Sequence, residues 1–231
     1  MTLNLATLSA PTSPAAEAYR RLRANLMSAG RDGEAPLRTL LVAAASPSAD
    51  KTQVAANLAV AFAKVGKRVI LVDCDLRHPA LHTLFGVPNE TGVSSALRRE
   101  ETLADATGGD RPPALPIQDT EVAGLWLLTS GPQVDAPADL LASPAMHRLV
   151  DRLAGEADIV LFDAPPVTVA TDASELATQV DGVLLVVTAG LTKRDDAAAA
   201  RQMLSQVGAR VVGAALVNVT TEAAVRNYLA A

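Results

Sequence analysis

Residues 69–79 read Val-Ile-Leu-Val-Asp-Cys-Asp-Leu-Arg-His-Pro, an unbroken apolar run that ends in two alternating carboxylates, Asp73 and Asp75. A strand that is apolar on both faces must be covered on both faces, which restricts the chain to a layered α/β architecture. Ligands of open α/β sheets bind at the carboxyl ends of the strands. Residues i and i+2 of an extended strand share a face, so Asp73 and Asp75 are expected to converge on one metal ion or one proton.

The rest of the chain repeats the pattern. Apolar runs at Thr39–Ala45, Arg68–Asp73, Gly124–Thr129, Ile159–Asp163, Gly182–Thr188 and Arg210–Asn218 predict six strands. Val54, Leu58, Phe62 and Val65 form one stripe of a helix that Gly66 ends. Ser143-Pro144 marks another helix start, with Ser as cap and Pro in the first turn. Residues 193–206 predict a further helix, and 14–29 an Arg-rich N-terminal one. Residues 101–120 hold Gly108-Gly109 and three prolines and read as a long surface loop. The expected fold is a doubly wound, mainly parallel α/β sheet with helices on both faces. The expected division is an N-terminal arm with a helix (1–36), the α/β domain (37–219) and a short tail (220–231).

Composition removes other classes. A formal net charge of −5 argues against a nucleic-acid surface. A single cysteine, Cys74, excludes an internal disulfide and fits a reducing compartment. No apolar stretch reaches 18 residues without a charge, so no membrane span is expected and a cytoplasmic location is. Cys74, His78 and His82 are four apart, but Pro79 breaks any single helix through them, so they are not read as a metal set. His147 reads as an exposed helix residue.

One helix upstream of the paired carboxylates, Ala45-Ser46-Pro47-Ser48-Ala49-Asp50-Lys51-Thr52 joins a strand to a helix. A phosphate loop reads G-x-x-x-x-G-K-[ST] in that context, with backbone N–H groups around the phosphates, Lys as point charge and the Thr hydroxyl on Mg²⁺. Here Ala45 and Asp50 stand at the two glycine positions. Asp tolerates the left-handed region better than most residues, but its charge opposes an anion. A carboxylate about 5 Å from a phosphate oxygen costs roughly 3 kcal/mol at an effective dielectric near 20, on the order of 100-fold in affinity, unless it turns to solvent. A surface loop in which Asp50 merely caps the following helix would contain the same residues. A third acid, Asp163, ends the run Ile159-Val160-Leu161-Phe162 before Ala164-Pro165-Pro166, where phosphate-loop proteins place an Asp that orients the metal. Three strand-end aspartates with Lys51-Thr52 point to a shared metal–phosphate site, working or inherited.

These residues resemble the cytoplasmic domain of bacterial tyrosine kinases, the BY-kinases of capsule and exopolysaccharide synthesis, relatives of the MinD/ParA ATPases. The resemblance runs over roughly 14–219. It rests on three apolar residues then D-x-D-x-R at Ile70–Arg77, and three apolar residues then D-x-x-P at Val160–Pro166. The segments Asp75–Gly86, Pro137–Ser143 and Thr171-Asp172-Ala173 also fit. The family's P-G-E-G-K-[ST] stands here as Pro47–Thr52, without glycine. The resemblance implies ATP and Mg²⁺ as cofactors. Ser48, Ala49, Asp50, Lys51, Thr52 and Gln53 would surround the phosphates, and Asn218 would read adenine. Thr52, Asp75 and Asp163 would hold the metal, with Asp73 the base for a tyrosine hydroxyl. Glu17, Arg20 and Arg23, an E-x-x-R-x-x-R on the N-terminal helix, resemble a subunit contact for a ring-like homo-oligomer. An intrahelical Glu–Arg pair is the alternative, worth a few tenths of a kcal/mol. The family's tail usually carries a tyrosine cluster; here Tyr228 is the sole tail candidate as phospho-acceptor. A separate membrane adaptor of the polysaccharide chain-length regulator type is the implied partner, with recruitment to the inner face of the membrane. Three activities remain open: a weakly autophosphorylating kinase, a non-catalytic regulatory subunit, and a MinD/ParA-type ATPase switch.

Overall fold

The computed structural model describes residues 4–28, 36–47, 50–105 and 114–219. In chain order the elements are α1 (Ala6–Ser9), α2 (Pro14–Ser28), β1 (Thr39–Ala44), α3 (Asp50–Ala63), β2 (Val69–Asp73), α4 (Leu81–Phe85), α5 (Val93–Asp105), β3 (Gln118–Asp119), β4 (Leu125–Leu128), α6 (Pro137–Leu141), α7 (Pro144–Glu156), β5 (Ile159–Ala164), α8 (Asp172–Ala177), β6 (Gly182–Thr188), α9 (Arg194–Gln206) and β7 (Val211–Val217).

The strands form one sheet in the order β3-β4-β2-β5-β1-β6-β7. Every pairing is parallel except β3 with β4. Alternate residues of the central strands enter two separate cores. Leu41, Ile70, Val72, Val160 and Phe162 pack with Leu149 and Leu153 of α7 and Leu204 of α9 on one face. Leu40, Val42, Leu71, Leu161 and Leu184 pack with Leu58 and Phe62 of α3 on the other. Two buried faces explain why these strands are continuously apolar. Leu5, just before α1, is buried in the second core, and Asn57 Oδ1 accepts both the backbone N–H and the hydroxyl of Thr7, 3.0 Å each. The N-terminal arm is thereby fastened to α3.

Several sequence expectations need correction. The sheet has a seventh strand among the described residues, β3, a two-residue antiparallel edge formed against β4. The expected loop 101–120 is helical at its start, since α5 runs to Asp105, and extended at its end; residues 106–113 lie outside the described residues. Val65 does not continue the α3 stripe: the helix ends at Ala63, Gly66 takes φ 79° and Val65 is 48% exposed. The turn closes with Gly66 N–H donating to Ala63 O, which carries Val65 away from the core face. Ser143 caps α7 as expected, accepting from the Met146 N–H at 3.4 Å. His147 is exposed on α7.

Candidate functional site

The order β2-β5-β1 places three carboxyl ends side by side. Asp73 and Asp163 are register partners across β2 and β5, and β1 on the far side of β5 leads through the loop into α3. The first turn of α3 therefore lies against the end of β5. Thr52 Oγ1 donates to Asp163 Oδ2 at 2.6 Å. Lys51 Nζ lies 3.2 Å from Asp163 Oδ1 and 2.8 Å from Asp75 Oδ2. All four side chains are buried. Lys51 thus bridges two carboxylates that belong to different strands.

Asp73 and Asp75 do not share this task. β2 ends at Asp73, so Asp75 lies beyond the extended strand, where it pairs with Lys51. Asp73 turns inward. Its Oδ1 accepts from Asp75 N–H at 3.2 Å, and its Oδ2 accepts from Ala80 and Leu81 N–H at 3.1 and 3.0 Å. It ties down the loop 74–80 from below, while Asp75 Oδ1 accepts from His78 N–H at 3.0 Å. Cys74 N–H donates to Asp163 O, closing the loop onto β5.

Burial sets the electrostatics. Desolvation, then the neighbouring Asp163 charge, pushes the Asp73 carboxyl up to about 7. Burial also raises Asp163, against the downward pull of Lys51 and of the Thr52 hydroxyl. Desolvation works to lower the Lys51 ammonium, but Asp163 and Asp75 outweigh it and hold it above its ordinary value. The cluster therefore has one firm positive charge among three carboxyls.

The donor set suits a hard cation. Mg²⁺ takes one or two carboxylates and leaves its other positions to water and phosphate oxygens, and Asp75, Asp163 and the Thr52 hydroxyl supply oxygen ligands of that kind. Among the described residues no group of three or more His, Cys, Asp or Glu side chains is placed to hold a metal ion.

The other expected residues are more scattered. Gln53 is exposed on α3, and its carbonyl accepts from Asn57 Nδ2. Asn218 follows β7 with φ 59°, and its Nδ2 donates to Ala189 O at 3.1 Å. It shares the carboxyl edge of the sheet but stands two strands from β1, roughly 10 Å at ordinary strand spacing. Asp50 opens α3, while Ser48, Ala49 and Tyr228 lie outside the described residues. On α2, Glu17 pairs with Arg20 at 2.7 Å, and Arg23 Nη1 donates to Ala61 O at 2.9 Å. These contacts are made within the chain.

Sequence reasoning missed the residues that hold the loop. Thr168 Oγ1 donates to Ala45 O, Val167 N–H donates to Ala44 O, and Ser46 Oγ donates to Thr192 Oγ1. All three contacts span more than 100 residues, and isolated threonines carry no local signal. Among the described residues no helix is long and apolar enough to cross a membrane.

The family model described as "ParA: NUBPL iron-transfer P-loop NTPase" matches residues 38–221. The chain is 35% identical over 214 residues to "Tyrosine-protein kinase YwqD" of Bacillus subtilis (strain 168), covering 93% of this chain and 85% of that one. It is 30% identical over 206 residues to "Putative tyrosine-protein kinase CapB" of Staphylococcus aureus, covering 89% and 85%. The solved kinase domain of the Escherichia coli tyrosine kinase ETK superimposes with a TM-score of 0.84 at 30% identity, over 96% of this chain and 83% of that one. With the buried Lys51–Asp75–Asp163 cluster at its sheet edge, the chain belongs to the ParA-type P-loop NTPases, in the branch formed by the bacterial tyrosine kinases.

Proposed function

We propose that the chain is an ATP-dependent protein-tyrosine autokinase acting in capsular or exopolysaccharide synthesis and export. The observation that carries this reading is Lys51 Nζ held 2.8 Å from Asp75 and 3.2 Å from Asp163 at the first turn of α3. A cation and two acids at one strand edge are the parts that phosphoryl transfer needs. Asp75, Asp163 and Thr52 would hold Mg²⁺, which when bound neutralises the phosphate charge. Lys51 would exchange its carboxylate partners for the β/γ-phosphates, and the loop Ser48–Gln53 would surround them. Asn218 would meet the adenine. The Tyr228 oxygen forms its bond to the γ-phosphorus as the bond to the leaving ADP oxygen breaks, and Asp73 takes the hydroxyl proton. A carboxyl titrating near 7 suits that exchange at neutral pH. Glu17, Arg20 and Arg23 would give up contacts within the chain to join subunits in a ring-like homo-oligomer, which a membrane adaptor would recruit to the inner face of the membrane.

A specific observation favours a second reading, a catalytically weak or inactive regulatory subunit: Ala45 and Asp50 occupy both glycine positions of the loop. A MinD/ParA-like ATPase switch without a tyrosine substrate is the third. Calorimetry of ATP and ADP with Mg²⁺ separates them, on the native protein, Lys51→Met and Asp50→Gly. Micromolar binding that Lys51→Met abolishes, followed by phosphate transfer that Tyr228→Phe abolishes, establishes the kinase. Binding absent in the native protein and regained on the order of 100-fold in Asp50→Gly establishes the regulatory subunit. Hydrolysis without transfer to tyrosine establishes the switch.

A further inference from the structure

Two segments meet at the site's rim. The loop after β2 carries Asp75, and the segment after β5 leads from Asp163 to α8. Arg77 in the first and Asp172 in the second are 95 residues apart, yet they form a two-pronged ion pair. Arg77 Nε donates to Asp172 Oδ2 at 3.0 Å and Nη2 to Oδ1 at 2.9 Å. Asp172 opens α8 and is fully buried, whereas the Arg77 side chain is 41% exposed. A buried carboxylate whose partner comes in from the surface fixes the position of whatever carries that partner. A guanidinium fork fixes orientation as well as distance.

What it carries is Asp75, two residues away. The loop has three anchors: Asp73 beneath it, Cys74 N–H on Asp163 O, and Arg77 on Asp172. Asp73 holds both ends of the loop, through Asp75 N–H at one and Ala80 and Leu81 N–H at the other, and Cys74 N–H holds its start. Among the described residues, the third ties its outer part to the segment that follows Asp163. We propose that Arg77 and Asp172 are a positioning pair that holds Asp75 at its distance from Asp163, and so sets the gap that Lys51 spans in the free protein and that Mg²⁺ would span with nucleotide. The second half of this inference rests on the nucleotide reading above; the first half does not.

The test uses the full chain with Arg77→Lys, Arg77→Met and Asp172→Asn, beside Asp181→Asn as a control. Asp181 accepts from Arg38 and Thr39 at the opposite end of β1, so its loss perturbs the fold away from the site. The first readout needs no nucleotide: acetylation of Lys51 by an N-hydroxysuccinimide ester, quantified by peptide mass spectrometry. A misplaced Asp75 leaves Lys51 with Asp163 as its carboxylate partner, so Lys51 reacts at least 10-fold faster in Arg77→Met and Asp172→Asn and by a smaller factor in Arg77→Lys. Asp181→Asn leaves it slow at equal or greater loss of urea midpoint. Equal rates in all variants overturn the inference, as does acceleration that merely follows global stability. The second readout is ADP affinity with and without Mg²⁺, in the native and Asp50→Gly backgrounds. The expected result is loss of the Mg²⁺-dependent gain in affinity with Mg²⁺-free affinity kept; an equal loss under both conditions overturns the metal half. Absence of nucleotide binding in both parents refutes the nucleotide reading and with it the metal half, while the Lys51 rates still decide the rest.

Discussion

Replacing Lys51 by Met tests the electrostatic account of the cluster directly. The substitution conserves much of the side-chain length and removes the cation from between two carboxylates that are 4% and 1% exposed. Removing one partner of a buried ion pair costs about 3–5 kcal/mol, because the other charge is left without compensation. Asp163 then loses the strongest influence that held it down against burial, so it takes up a proton more readily. The sign follows. A carboxyl raised in the folded state penalises folding increasingly as pH rises, so the gap between native and variant is widest near pH 8 and narrows toward pH 5. Lys51 itself titrates above its ordinary 10.5 and does not enter this window. Urea unfolding followed by the single tryptophan is a suitable assay, since Trp126 is half-buried on β4 with its indole N–H on Asp119. With a slope of about 3 kcal/mol per molar urea, the midpoint at pH 8 falls by about 1–2 M. A midpoint unchanged at pH 8, or a gap that widens on acidification, would refute the reasoning. Nucleotide binding by Lys51→Met is interpretable only beside this measurement.

Asp73→Asn should flatten the pH dependence of stability. Raising an aspartate from 3.8 to about 7 withdraws about 4 kcal/mol as pH climbs through that interval, because the folded protein there holds a proton that the unfolded chain releases. The variant therefore gains on the native protein between pH 4 and pH 7, and parallel curves in urea would contradict the assigned burial. Gly92→Ala should lose about 3 kcal/mol or more, at or beyond the upper end of overpacking costs. Its Cβ would stand 2.1 Å from Thr129 O and 2.4 Å from Gly131 N, backbone atoms that cannot swing aside. A thermal midpoint equal to that of the native chain would show that this approach relaxes freely.

The central strands were legible because each has the same local cause: an apolar run buried on both faces. Asp73, Asp75 and Asp163 were legible as acids at strand ends for the same reason. β3 was not, since Gln118-Asp119 carries no apolar pattern and becomes a strand only by pairing with β4. α4, α6 and α8 were not, because helices of five or six residues are stabilised by packing rather than by periodicity. Val65 kept the helical spacing yet left the core, because the Gly66 turn closed one residue too early for it.

The division at the site has one physical origin. Alternation and apolar runs are local properties, so the sequence by itself determined the α/β class, the central strands, and the presence of Lys51-Thr52 and three acids at one edge. Which acid meets which partner depends on the order of strands across the sheet, and crossover connections decide that. Because β5 lies between β1 and β2, Asp163 comes within reach of a lysine 112 residues away and beside Asp75. Because the chain leaves β2 at Asp73, that carboxylate accepts from backbone N–H groups and Asp75 lies beside Lys51. Arg77 meets Asp172 across 95 residues for the same reason: contacts of that span are products of packing, and nothing in the neighbouring residues announces them.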